Sequence, residues 1–280
     1  MPINPFLNPE RQLRNGWWIL IFFLVLASLL VPALITAQKN SMAVSVGRQA
    51  VIIMLASFIC QALRRRPFTE LLGKFNLRWL KEFALGGLSG SALMLVPALI
   101  LWIFGWVDLQ WNPAGFPAFL SAIFLFAEVA LAEELLFRGF IFQRLITGLG
   151  QLPAQLMMAG YFLLTHLDNP NLTGDVKVLA SINIFAVSLV FGLAFIRTKS
   201  LAMPLGLHFM ANLMQGGVLG FGVSGTEQLG LLRPVFSEIP AWLAGGEFGL
   251  EASILGLVCV TLTLTVLYVW RPPPEMGRVF

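Results

Sequence analysis

Residues 117–146 read PAFLSAIFLFAEVALAEELLFRGFIFQRLI, an apolar run interrupted by paired glutamates and an arginine. About 20 apolar residues in a helix suffice to cross the hydrocarbon core of a bilayer, and this run is longer. Ionisable side chains at such depth are costly and usually face the protein interior or a wet cavity. The run therefore predicts a membrane helix in which Glu133, Glu134 and Arg138 have a specific role.

The composition of the whole chain indicates the same class of protein. Of its 280 residues, 58% are hydrophobic and 11% are charged, and the mean hydropathy is +0.82. Soluble domains of ordinary composition are far more polar. Because no polar stretch is long enough to fold alone, we expect residues 1–280 to form a single polytopic membrane domain.

Polar residues, prolines and glycines divide the chain into apolar segments. We predict an all-α membrane protein, a bundle of about eight transmembrane helices, because each segment approaches the length of a span. An even number of spans places both termini on the same side. The predicted spans are residues 17–37, 43–63, 82–104, 117–146, 152–167, 178–196, 201–220 and 250–270.

Basic residues are distributed unequally between the two sides of this predicted bundle. The side opposite the termini has only Lys39, Arg48, Lys177 and Arg233. Lysine and arginine concentrate in cytoplasmic loops, so both termini are expected in the cytoplasm. The compact chain favours the plasma membrane of a prokaryote. The basic residues on the side of the termini are Arg11, Arg14, Arg64, Arg65, Arg66, Lys74, Arg78, Lys81, Arg144, Arg197, Lys199, Arg271 and Arg278.

Other classes of function lack support in the sequence. The net charge of +4 is spread over short loops, so nucleic-acid binding is not expected. Cys60 and Cys259 lie in apolar segments without metal or redox spacing, which argues against a disulfide framework. The expected partners are membrane lipids and a membrane-associated or lipidated protein substrate, and the oligomeric state is left open.

The spacing of the charges separates them by role. Glu134 and Arg138 are four residues apart, so a helix places them on one face, where they can form an ion pair. Glu133 is rotated by about 100° and is free to act as a general base. The alternative is that all three residues simply hold helices together within the bilayer.

The two histidines of the chain also lie in apolar segments. Phe162 and His166 are four residues apart, as are His208 and Asn212, so each pair shares a helical face. His208 and Asn212 offer hydrogen-bond donors directed to one place, as an oxyanion site requires. The alternatives are a hydrogen bond between helices for this pair and a packing role for His166.

The ordered patterns E-E-x-x-x-R, F-x-x-x-H and H-x-x-x-N on three separate spans resemble the CAAX prenyl protease type II family. The wider group is the CAAX protease and bacteriocin-processing (CPBP) family. The motifs cover about residues 117–217, the core of the single domain. The resemblance implies an intramembrane endopeptidase acting near the cytoplasmic face, with lipidated or prenylated CAAX-type C termini as one substrate class. A non-enzymatic immunity or partner-binding role is the alternative.

The resemblance also implies a role for each matching residue. Glu133 and His166 would activate a water for attack on a peptide carbonyl, and His208 and Asn212 would stabilise the resulting oxyanion. The implied supporting residues are Glu134, Arg138 and Phe162.

No cofactor is expected, although Glu133, His166 and His208 would be the ligands of a zinc ion if the site held one. The H-E-x-x-H pattern is absent, and His208 is paired with the donor Asn212 rather than with a carboxylate, which favours metal-free hydrolysis. The pattern G-x-S-G occurs at residues 87–90 and 222–225, where it is more typical of close helix packing than of a serine protease.

The predicted span edges leave one conflict. Glu133 lies near the middle of its span, whereas His166 lies close to the outer end of its own. The mechanism nevertheless requires Glu133, His166, His208 and Asn212 to converge on one cavity.

Overall fold

The computed structural model describes residues 4–270, which form a mostly helical bundle with one small sheet. Strands β1 (Val107–Trp111) and β2 (Leu232–Phe236) pair antiparallel, with Val107 opposite Phe236. The helices are α1 (Asn15–Lys39), α2 (Val46–Leu63), α3 (Thr69–Leu72), α4 (Leu77–Ile103), α5 (Gly115–Glu134), α6 (Phe140–Leu149), α7 (Gln151–Leu164), α8 (Gly174–Thr198), α9 (Ala202–Asn212), α10 (Ala241–Ala244) and α11 (Ile254–Val269).

Five helical stretches in the described part of the chain are long and apolar enough to cross a membrane. The prediction of a helical membrane protein is therefore confirmed, but eight complete spans are not. The five stretches are Asn15–Lys39, Val46–Leu63, Leu77–Ile103, Gly115–Leu149 and Val176–Thr198.

The other three predicted spans correspond to shorter helices. Helix α7 has 14 residues and α9 has 11, whereas α11 has 16. At 1.5 Å per residue, α7 covers roughly 21 Å, which is less than the thickness of a hydrocarbon core of about 30 Å. Helix α7 ends before the turn that contains Pro170, and α11 begins only after the Ser253 side chain caps it. The cytoplasmic location of the termini stays a prediction, and Arg271 and Arg278 lie outside the described residues.

The stretch Gly115–Leu149 is not one regular α-helix. Helix α5 ends at Glu134, a π-helical turn follows over Leu135–Gly139, and α6 then continues. A second π-helical turn, Leu213–Val218, directly follows Asn212 at the end of α9. Such turns are rare in helices and frequently occur at functional sites. Here the first turn begins directly after Glu134 and the second directly after Asn212, and both residues belong to the predicted site.

Glycines allow α4 and α9 to pack with their backbones in contact. A Cβ atom added at Gly86 would lie 2.1 Å from the carbonyl oxygen of Met203, and one at Gly90 would lie 2.1 Å from that of Leu207. Gly206 on α9 meets the carbonyl oxygen of Phe83 in the same way. Small residues at these positions let membrane helices approach closely. This contact fixes the helix that carries His208.

The glycine contact gives a direct test of this packing. Gly90→Ala should lower the free energy of unfolding by about 1–3 kcal/mol, because the new methyl group has to displace the α9 backbone. Thermal unfolding of the purified protein measures this loss. Gly160→Ala in α7 is the matched control, because a Cβ there meets nothing within 4 Å. Equal stability of the two variants would contradict the packing described here.

Candidate active site

The four predicted catalytic residues come from three helical segments and line one cavity. Glu133 lies at the end of α5, His166 directly follows α7, and His208 and Asn212 lie on α9. The cavity that they share has a volume of about 610 Å³. The structure therefore brings together side chains that are up to 79 residues apart in the sequence.

The apparent difference in depth between Glu133 and His166 disappears at the turn between α6 and α7. Gly150 has a φ of +89°, a left-handed conformation that suits glycine, and the chain reverses direction there. Glu133 precedes Gly150 by 17 residues and His166 follows it by 16, so each lies roughly 25 Å from the turn. The two side chains therefore reach the same height in the bundle.

The buried carboxylate of Glu134 binds two side chains, those of Arg138 and His208. Its Oε1 lies 3.2 Å from Nη1 of Arg138, so the spacing correctly predicted this ion pair. The same oxygen lies 2.8 Å from Nδ1 of His208, a contact between α5 and α9 that the sequence did not reveal. Both Glu134 and Arg138 are buried, with 0% and 1% exposure. A buried ion pair of this kind is strongly destabilised by removal of one partner.

Arg138 also connects the site to α8. Its Nη2 donates to the carbonyl oxygen of Ser188 at 3.0 Å and to the Ser188 hydroxyl at 2.7 Å. Its guanidinium carbon lies 4.9 Å from the ring centre of Phe162 and 5.0 Å from that of Phe191. Phe191 in turn stacks on the imidazole of His208 at 4.8 Å. Ser188 and Phe191 were missed because nothing distinguishes them within the apolar sequence of α8.

Glu133 faces both histidines. Its Oε2 lies 3.9 Å from Nε2 of His166 and 3.8 Å from Nε2 of His208. This oxygen is buried and has no hydrogen-bond partner among the described residues. The distances exceed those of direct hydrogen bonds, as is common for catalytic groups in the absence of substrate.

The partners of the two imidazoles define where their protons lie. Nδ1 of His166 is 2.7 Å from the carbonyl oxygen of Phe162, which can only accept, so Nδ1 carries the proton. Nδ1 of His208 likewise donates to the carboxylate of Glu134. In their neutral forms both histidines then direct the lone pair of Nε2 towards Oε2 of Glu133. Three acceptor atoms thus face one another, an arrangement that calls for a proton donor such as water.

The cavity contains a further acid that the sequence analysis missed. Glu251 precedes α11 and lines the cavity, where its carboxylate accepts hydrogen bonds from the backbone N–H of Ser224 and, at 3.4 Å, from the side chain of Gln215. Asn183 donates to the Glu251 carbonyl at 2.5 Å. The sequence signal that could have revealed Glu251 is its position as an acid at the edge of an apolar segment. These contacts attach the loop after α9 to the start of α11.

The serines of the two G-x-S-G patterns differ in their surroundings. Ser89 donates to the carbonyl oxygen of Leu85 in its own helix at 2.9 Å, whereas Ser224 does line the cavity. Among the residues whose side chains the structure describes, no group of three or more histidine, cysteine, aspartate or glutamate residues is arranged to hold a metal ion.

The segment that contains the catalytic candidates matches a known family. Residues 114–214 match the family model described as Type II CAAX prenyl endopeptidase Rce1-like. These residues belong to the Rce1-like family. The match includes Glu133, His166, His208 and Asn212, and it confirms the resemblance inferred from the motifs. The protein is accordingly a peptidase, and its long apolar helices make it an integral membrane protein. No curated protein matches the chain.

The position of the cavity conflicts with one pair of predictions. The cavity is lined by Gln49 near the start of α2 and by Asn183 in the first half of α8. In the orientation derived from the basic residues, this end of the bundle faces away from the cytoplasm. Cleavage near the cytoplasmic face and cytoplasmic termini therefore cannot both hold.

Cysteine labelling in sealed vesicles decides between cytoplasmic termini and cleavage near the cytoplasmic face. The basic residues predict that Thr226→Cys at the cavity rim reacts with an impermeant maleimide from the outside, and that Lys74→Cys, beyond the opposite end of α2, reacts only from the cytoplasmic side. Both positions are exposed, and the native Cys60 and Cys259 are buried, so the unaltered protein gives the background. If Thr226→Cys instead reacts only from the cytoplasmic side and Lys74→Cys reacts from the outside, the predicted orientation is overturned. Cleavage near the cytoplasmic face would then be retained.

Proposed function

We propose that the protein hydrolyses a peptide bond of a membrane-associated substrate through a water activated by Glu133 and His166. The observation that carries this proposal is the position of Oε2 of Glu133 within 4 Å of Nε2 of both histidines, inside a cavity and without a hydrogen-bond partner among the described residues. A base for the water and donors for the oxyanion are the two requirements of peptide hydrolysis without a covalent intermediate.

The charges of the cluster supply the donor for the oxyanion. Glu133 and Glu134 together with Arg138 carry one net negative charge, so a single additional proton neutralises the group. Low-dielectric surroundings favour that neutrality. When the additional proton is on His208, its Nε2–H becomes a hydrogen-bond donor, while its Nδ1–H continues to donate to Glu134. Asn212, on the same face one turn later, supplies the second donor.

The proposed reaction follows from these positions. The water gives a proton to Glu133 or His166 as its oxygen attacks the peptide carbonyl, and the developing oxyanion accepts hydrogen bonds from His208 and Asn212. Collapse of the tetrahedral intermediate transfers the proton to the leaving amine. The fixed contacts of Arg138 with Glu134 and with Ser188 keep His208 oriented throughout.

We propose lipidated peptides, including prenylated CAAX-type C termini, as the substrate class. The Rce1-like match of residues 114–214 supports a peptide substrate. The cavity supports a membrane-associated one, because apolar residues of α2, α4 and α5 line it beside the polar cluster: Ile53, Met94, Leu125, Phe126 and Val129.

Substitutions test the proposed roles on a library of lipidated and unlipidated peptides. Glu133→Gln should lower kcat by at least about 100-fold because the base is lost, and Asn212→Ala should lower it by about 10²–10³-fold with little change in KM. Hydrolysis rates of the purified protein in detergent or vesicles give both parameters.

Glu128→Gln is the matched control for these assays. It removes a carboxylate from the same helix, but Glu128 is exposed and lies outside the cavity. Its kinetics should equal those of the unaltered protein. Full activity of Glu133→Gln would refute the proposed base, and failure of every form to cleave any peptide would favour the immunity or partner-binding alternative.

We further propose that the reaction needs no metal. Asn212 provides an N–H donor beside His208, which an oxyanion site requires and a metal site does not. Glu133, His166 and His208 would be the ligands in the zinc alternative. Active protein should retain its rate after chelation and contain far less than one zinc per chain by elemental analysis. Stoichiometric zinc whose removal abolishes activity and whose return restores it would overturn this prediction.

A further inference from the structure

A second cavity lies at the end of the bundle opposite the active site. Helices α2 and α8 begin beside the active-site cavity, and Arg64 and Lys199, the residues after their last turns, line the second one. Asn183 and Lys199 are 16 residues apart along α8, which corresponds to roughly 24 Å. We call this second cavity the basic cleft.

The basic cleft is strongly cationic. Its volume is about 680 Å³, and a single carboxylate, Glu70, stands among its lining residues. The cationic side chains that line it are Arg64, Arg65, Arg66, Arg144 and Lys199. An excess of positive charge in a concave site attracts anions far more than the same charge on a flat surface.

Glu70 is a distant partner for the arginines around it, although Gln61 accepts a hydrogen bond from Nη1 of Arg64 at 2.6 Å. Oε1 of Glu70 lies 3.5 Å from Nη2 of Arg144 and 3.7 Å from Nη1 of Arg64, both longer than a charge-assisted hydrogen bond. Arg144 is only 7% exposed, and its Nε has no hydrogen-bond partner among the described residues. A buried donor left unpaired is costly, so the cleft is short of acceptors.

Two cationic residues that follow the ends of α2 and α8 add to this shortage of negative charge. Burial lowers the pKa of Arg64, an effect that Glu70 partly offsets, and burial also lowers the pKa of Lys199. An anion in the cleft would counter the cost of burying both charges.

Helix α1 lines the basic cleft at its start and is apolar and exposed further along. Asn15 and Trp18 at the start of α1 line the cleft. Further along the same helix, Leu20 and Leu24 are 46% and 62% exposed. A lipid whose headgroup entered the cleft would place its acyl chains against the apolar surface that α1 presents to the bilayer.

We propose that the basic cleft binds a phosphate group, of the kind carried by acidic phospholipids and by free phosphate. Guanidinium groups match the geometry of phosphate oxygens, and basic pockets between membrane helices bind lipid headgroups. The Nε of Arg144 is a buried donor of the cleft without a hydrogen-bond partner among the described residues, and the exposed Arg65 and Arg66 line the rim. Occupation of the cleft would hold the ends of α2, α6 and α8 together.

Calorimetric titration of the full chain in neutral detergent tests this binding. The probes are dioctanoyl phosphatidylglycerol, dioctanoyl phosphatidylcholine and inorganic phosphate. Phosphatidylglycerol should bind at least tenfold more tightly than phosphatidylcholine, and its affinity should fall as salt increases. Competition by inorganic phosphate would mean that the phosphate group alone suffices, and lack of competition would identify the lipid as the ligand.

Paired charge removals locate the site. The double variant Arg65→Gln, Arg66→Gln should weaken phosphatidylglycerol binding at least tenfold, and because both residues are exposed it should keep the native unfolding temperature. The matched control Lys39→Gln, Arg48→Gln removes the same charge from exposed positions at the other end of α1 and α2, and its affinity should change less than twofold. Equal affinity of the two double variants would overturn the proposal, as would equal binding of both lipids together with no binding of phosphate.

Discussion

The shared carboxylate of Glu134 is the interaction on which the rest of the site depends. One oxygen, Oε1, receives both Arg138 and His208 in a fully buried position. Through Arg138 and Ser188 the same group joins α5 to α8, and through His208 it joins α5 to α9. Removal of any member would leave a charge or a strong donor unpaired in low-dielectric surroundings, which explains why three helices are held in one arrangement.

This arrangement also separates the functions of two adjacent acids. Oε1 of Glu134 is occupied by a cation and an imidazole, whereas Oε2 of Glu133 has no hydrogen-bond partner within the described residues and faces Nε2 of both histidines. Both histidines place a protonated Nδ1 on a fixed acceptor, a backbone carbonyl for His166 and Glu134 for His208. Their second nitrogens are thereby directed at Glu133, so the protein's own hydrogen bonds orient the groups proposed for proton transfer.

Backbone features place these side chains at the required height and separation. Glycines bring α4 and α9 into contact, Gly150 reverses the chain between Glu133 and His166, and two π-helical turns adjoin the site. Helices α2 and α8 extend from the active-site cavity to the basic cleft at the other end of the bundle. The two ends thus differ in chemistry: one presents acceptors and acid–base groups in a cavity, and the other presents cations with too few acceptors.

The sequence by itself determined the membrane class, the similarity of residues 114–214 to the Rce1-like family and the local pairs. Apolar composition forces helices in a bilayer, and a spacing of four residues forces Glu134 and Arg138 to the same face, since both depend only on neighbours along the chain. Only five of the eight predicted spans have helices long enough to cross a membrane, because apolar content does not reveal where a helix ends. Only the tertiary structure decided that Glu134 binds His208, that Ser188 and Phe191 complete the surroundings of Arg138, and that Glu251 enters the cavity. These contacts join residues from different helices, and no periodicity along a single helix encodes which face another helix will bring to it.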